Sequence, residues 1–159
     1  MTPTPADASP ALPTDPQALA EVVAQTMWSR DRATHALGME IISVGPGRAT
    51  IQMTVRQDML NGHAICHGGM LFTLADTAFA YACNSYNQNT VASACHIDFL
   101  APGREGDLLE AQAIERSAGG RTGVYDVTVS VVGGKTLALF RGKSARIKGE
   151  VTASLADAQ

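Results

Sequence analysis

The chain has 159 residues, which suits one domain, and 45% of them are hydrophobic, enough to bury a sizeable core. A formal net charge of −3 gives none of the basic surface that nucleic acid requires. No stretch approaches the ~20 uninterrupted apolar residues of a membrane span, and MTPTPADASP lacks the basic and apolar regions of a secretory signal. The three cysteines, Cys66, Cys83 and Cys95, are odd in number and irregular in spacing. They argue against a disulfide framework and point to a reducing, cytoplasmic compartment.

Residues 1–14 are rich in Pro, Ala and Thr without periodicity and are expected to form a disordered tail. Asp15-Pro16 then reads as an N-cap followed by proline at the first helical position. Leu19, Val22, Val23 and Met27 follow at helical spacing, predicting an amphipathic helix to about Asp31. From Gly38 the period changes toward two. GMEIISVG and RATIQMTV flank Pro46-Gly47, the pattern of a hairpin. After the loop QDMLNGHAICH, the run GGMLFTLADTAFAYACNSY is apolar nearly all round and predicts a buried helix.

Four strand-like runs follow: VASACHIDFL, DLLEAQAIER, TGVYDVTVSVV and KTLALFRGKSARI. Pro102-Gly103, Gly119-Gly120 and Gly133-Gly134 supply the turns between them. Short connections favour an antiparallel sheet, so the expected class is α+β, with about six strands curled around one long helix. The domain is expected to span 15–149, with a flexible C-terminal tail at 150–159. A single sheet has open edges, which invite pairing with another chain.

The loop and helix start NGHAICHGGMLFTLADTAFAYA hold the chemistry. The first N–H groups of a helix lack intrahelical partners and sit at the positive end of its dipole. Gly68 and Gly69 let a ligand approach that backbone, so these amides could stabilise an oxyanion; the pair could equally make a tight turn. Asp76 lies in the most apolar helix, where an unpaired carboxylate is costly. It is either paired locally or serves as a general base or nucleophile. Asn61, in an Asn-Gly turn, and His67, at the helix entry, each have a structural reading and a substrate-binding one. Met70, Phe72 and Phe79 are candidates for either an acyl pocket or core. Arg141 and Lys143 alternate on one face of the last strand, and Arg121 follows a Gly-Gly turn. They could bind phosphate, or they could be charges protecting a solvated edge strand. His63, Cys66, His67, Cys83, Cys95 and His96 follow no metal-ligand spacing, so no metal and no cofactor is expected.

The strings NGHAICHGGMLFTLADTAFAYACNS, VASACHIDFLAPG and TGVYDV, followed by ALFRGKSARI, closely resemble the hotdog-fold thioesterases of the phenylacetic acid degradation (PaaI) type. HGG followed by LADTA is the core of that family's motif. The resemblance implies a six-stranded sheet around one helix, homodimers that join into homotetramers, and hydrolysis of aryl- or arylacetyl-CoA to free acid and CoA. By position it makes Asp76 the catalytic carboxylate and the Gly68 amide the oxyanion donor, with Asn61, His67 and Thr77 as supporting polar residues. Two other readings remain: a hotdog dehydratase or hydratase using His67 with Asp76, and a non-catalytic acyl-CoA-binding domain. Independently of any resemblance, Gly68 and Asp76 lie about two helical turns apart, roughly 12 Å along the axis. One Asp side chain cannot close that gap, so an active site using both would be built from two chains related by a two-fold axis.

Overall fold

The computed structural model describes residues 11–153. Residues 1–10 and 154–159, parts of the two expected tails, lie outside the described residues. Helix α1 runs Pro16–Trp28, with the Asp15 side chain accepting from the Ala18 amide at 2.8 Å and proline opening the first turn. It ends three residues before the expected boundary because Asp31 caps a second helix, α2 (Arg32–Ala36), by accepting from the Thr34 amide. Strands β1 (Glu40–Gly45) and β2 (Arg48–Thr54) form the expected hairpin, with Gly47 taking a φ of +67° at its turn. A 3-10 turn at Gln57–Met59 leads to the loop before α3 (Gly68–Cys83). Strands β3 (Thr90–Phe99), β4 (Leu108–Gly119), β5 (Thr122–Val131) and β6 (Thr136–Arg146) complete the chain.

All pairings are antiparallel, in the order β1-β2-β4-β5-β6-β3. This is the α+β, helix-in-sheet architecture expected from the sequence. The strand order was not foreseen: β3 leaves α3 for the far edge and pairs with β6. The last strand is therefore internal, which corrects its reading as an edge strand protected by charge. Arg141 and Lys143 instead project from the outer face of an interior strand. The open edges are β1 and β3.

Helix α3 packs into the curve of the sheet through Leu71, Leu74, Ala75, Ala78, Phe79 and Ala82. Phe79 is 1% exposed, tilted against Phe140 and Tyr125. Gly142 makes room for it, since a Cβ there would lie 2.8 Å from the ring. Burying a side chain of this size stabilises the fold by about 1.5–3 kcal/mol. Phe79 is thus core rather than pocket. The helix is not buried all round, however: Gly69, Thr73, Asp76, Thr77 and Ala80 form a partly open stripe.

After β6 the chain folds back. The Ile147 amide donates to the Asn89 carbonyl, the Thr152 amide to Asn87 Oδ1, and Arg30 to the carbonyls of Val151 and Ala153. Residues 150–153, at the start of the expected flexible tail, are held by these bonds, and Val151 is buried.

Candidate active site

The loop before α3 is shaped by its own backbone. Asn61 Oδ1 accepts from the amides of His63 at 2.9 Å and Ile65 at 3.4 Å, closing an Asx turn that tolerates a φ of +56° at Ala64. The Asn61 carboxamide nitrogen makes no bond among the described residues and remains available as a donor. The loop is anchored at its end by the Cys66 amide on the Gly103 carbonyl and the His67 amide on the Met59 carbonyl.

His67 is the N-cap of α3. Its Nδ1 accepts from the Gly69 amide at 2.9 Å, so the ring proton sits on Nε2. The Met70 and Leu71 amides both reach the His67 carbonyl, at 2.8 and 3.4 Å. Of the four amides that open the helix, only that of Gly68 has no acceptor among the described residues. It lies at the positive end of the helix dipole. A cleft of about 370 Å³ opens beside it, lined by Asn61, Gly68 and Leu71 together with Phe99, Leu100 and Pro102. A dipole-backed N–H in an apolar wall is suited to an oxygen that gains charge during reaction.

Asp76 lies farther along the same helix, half-buried on its partly open stripe. Among the described residues its carboxylate has neither an ion pair nor a hydrogen-bond partner. Burial alone raises its pKa above the ordinary aspartate value. Its charge reaches Cys95 on β3, whose thiol is raised first by burial and then by Asp76. Asp76 therefore faces the β3 side of the helix. The local pairing that could have explained a carboxylate here is absent among the described residues. Thr77 is next to it, but its hydroxyl proton is donated to the Thr73 carbonyl at 2.8 Å, leaving only lone pairs to offer.

Within one chain, Asn61, His67 and Gly68 come together, whereas Asp76 and Thr77 lie about two turns away, roughly 12 Å along the helix. The three basic candidates do not line the cleft. Arg141 clamps Asp126 through both carboxylate oxygens, and Arg116 donates to the same carboxylate. These bonds, the one from Arg141 foremost, hold the Asp126 carboxyl below the usual range. Lys143 makes no side-chain bond among the described residues. It projects from the same outer face as Arg141, and Arg121 sits at the β4–β5 turn. Among the described residues no group of three His, Cys, Asp or Glu side chains could hold a metal, and no helix is long and apolar enough to cross a membrane. Sequence reasoning missed two residues here, Phe99 beside Gly68 and Cys95, whose thiol feels the charge of Asp76. Strand alternation over Cys95, Ile97 and Phe99 was the available signal, since it puts all three on one face of β3.

Known proteins share this sequence pattern and fold. The thioesterase superfamily matches residues 63–138. Acyl-coenzyme A thioesterase PaaI of Escherichia coli is 57% identical over 129 residues, covering 81% of this chain and 92% of that one. The solved structure of the E. coli PaaI protein from the phenylacetic acid degradation operon superposes with a TM-score of 0.84 at 54% identity, over 86% of this chain and 99% of that one. A Streptococcus mutans protein solved bound to acetyl-CoA has a TM-score of 0.67 at 26% identity, covering 70% of this chain and 90% of that one. The chain belongs to the thioesterase superfamily and, within it, to the PaaI-type hotdog-fold thioesterases.

Proposed function

We propose that the chain is a cytoplasmic acyl-CoA thioesterase that hydrolyses aryl- or arylacetyl-CoA to the free acid and CoA. The observation that carries the mechanism is the Gly68 amide, which alone among the helix-opening N–H groups lacks an acceptor among the described residues and borders an apolar cleft. The thioester oxygen accepts from this amide, and the dipole behind it stabilises the tetrahedral oxyanion. Asp76 supplies the second half of the chemistry. It either takes a proton from the attacking water or attacks the carbonyl carbon itself to form an anhydride. In both routes the carbon–sulfur bond breaks and the sulfur leaves as the CoA thiol or thiolate; in the first, water supplies the acid oxygen directly, and in the second, water then cleaves the anhydride, releasing the acid and restoring the Asp76 carboxylate. The Asn61 carboxamide nitrogen holds the water or the carbonyl.

The helix spacing supports a site built from two chains, with Asp76 of one protomer beside Gly68 of the other. The open β3 edge and the partly open stripe of α3 offer the surfaces for a homodimer, which pairs again into a homotetramer. Arg121, Arg141 and Lys143 are the basic groups for the CoA phosphates. Lys143 is the strongest of them because Arg141 is already bound to Asp126.

The alternatives fit less well. A dehydratase would use His67 with Asp76 as an acid–base pair; the Gly69 amide occupies Nδ1 and leaves only Nε2 for that role. A non-catalytic acyl-CoA binder would gain nothing from an unpartnered, half-buried Asp76. The deciding experiment follows thiol release from a panel of acyl-CoA thioesters, phenylacetyl-CoA included. Release of CoA with the matching free acid is expected. Hydration or dehydration of the acyl chain with the thioester intact would replace this reading with the dehydratase one.

A further inference from the structure

Phe99 is the last residue of β3, paired with Ala138 of β6, and strand alternation puts its side chain on the helix side with Cys95 and Ile97. Cys95 and Ile97 pack against the core, but Phe99 remains 54% exposed. Its ring lies against Gly68: a Cβ built on that glycine would be 3.1 and 3.2 Å from two ring carbons. Those contacts are tighter than ordinary packing, so a side chain at this position would push the ring aside by a few tenths of an ångström. The same ring walls the cleft that Gly68 and Asn61 share. A large aromatic face, exposed in the single chain, thus lies beside the amide that would hold a thioester oxygen.

We propose that Phe99 is the specificity-determining wall of the acyl site, where its ring packs edge-on or offset against the aryl group of the substrate and selects it over aliphatic groups of equal size. The proposal rests on the thioesterase reading. An aromatic ring carries a quadrupole that rewards another ring in edge-to-face or offset geometry, a term that a saturated ring of similar bulk cannot match. The leucine and proline of the adjoining wall, Leu100 and Pro102, offer only apolar surface and take either ring alike. Among the residues that line the cleft in one chain, Phe99 is the one aromatic.

The test compares kcat/KM for phenylacetyl-CoA and cyclohexylacetyl-CoA, which differ in aromaticity but hardly in size. In the wild-type protein the ratio is expected to favour phenylacetyl by about three- to tenfold, the worth of one good aromatic pair. Phe99→Leu and Phe99→Met should each bring it to about one, while Phe99→Tyr keeps it. General damage to the fold lowers both substrates together and leaves the ratio alone, so the ratio separates a specificity role from a structural one. A wild-type ratio near one, or an unchanged ratio in both Phe99→Leu and Phe99→Met, overturns the proposal while leaving the thioesterase reading standing. No thiol release from either substrate by the wild-type protein overturns both.

Discussion

At its C-terminal end α3 is closed by Asn84, whose side chain donates to the carbonyls of Ala80 and Thr90 and accepts from the Thr90 amide. Ser85 follows, donating to the Ala82 carbonyl and accepting from the Gly47 amide in the β1–β2 turn. Tyr125 adds a bond to Glu115 at 2.8 Å nearby. At the N-terminal end the His67 ring takes one amide, but that of Gly68 has no acceptor among the described residues and lies beside an open cleft. The same helix thus ends once in a closed hydrogen-bond network and once in an unmet donor. Satisfied ends stabilise a fold, whereas a free, dipole-backed donor can stabilise charge that is absent until a reaction creates it.

The largest effect expected from this contrast is at the carboxylate that serves the open end. Asp76→Asn should lower kcat by roughly 10²-fold or more without loss of fold, measured by thiol release alongside circular dichroism. Burial raises the folded-state pKa of Asp76, which gives the effect a pH signature. Below the ordinary aspartate range both folded and unfolded chains hold the proton, and Asp76 costs no stability. As pH rises, the unfolded chain releases it first, so the native state is increasingly penalised, fully so above the folded-state pKa. Asp76→Asn should therefore raise Tm at neutral pH and lose that advantage in acid. The acid limb of kcat/KM in the wild-type protein should lie above the ordinary aspartate range. A limb at or below it would show that Asp76 is not the titrating group.

The next prediction sharpens the contrast between chains. Asp76→Ala and Asn61→Ala, each inactive alone, should complement when co-refolded in equal amounts. Half of the dimers are mixed and one of their two sites is intact, so activity should recover to about one quarter of wild type. No recovery, with mixed dimers seen by native mass spectrometry, would place both residues in one chain's site. At the closed end, Asn84→Ala should cost stability instead: about 1–3 kcal/mol by denaturant unfolding, with kcat per folded molecule retained. A loss of turnover matching that of Asp76→Asn would break the division of labour between the two ends. The smallest effect is expected on the sheet's outer face. Lys143→Ala should raise KM for acyl-CoA more than Arg141→Ala does, because Asp126 already occupies Arg141. The difference should shrink with added salt, and equal KM values at low salt would move the phosphate contacts elsewhere.

Much of the architecture was legible because it is local. Asp15-Pro16 caps and opens a helix, Pro46-Gly47 turns a hairpin, and the unbroken apolar run from Gly68 makes the central helix. Helix α2 was missed because five residues carry too little periodicity. The placement of β3 at the far edge was hidden because strand order depends on contacts distant in sequence, and that error also made β6 look like an edge. In the site, the glycine pair and the misplaced carboxylate were visible as local anomalies. Three other facts required the register of the sheet: the clamp of Arg141 on Asp126, the ring of Phe99 on Gly68 and the charge of Asp76 felt at Cys95.

The cysteines acquire a meaning once the product of the proposed reaction is considered. Every turnover would liberate a thiol within reach of Cys66, which lines the same cleft. Only thiolates exchange with disulfides or capture oxidised sulfur. Burial, followed by the charge of Asp107, pushes the Cys66 thiol up to about 11, and burial above all takes Cys83 to about 12. Both are buried, and their raised pKa values favour the protonated form at neutral pH. A thiol held protonated in this way is a poor partner for disulfide exchange, so Cys66 is expected to stay free beside the cleft even where oxidised CoA is present.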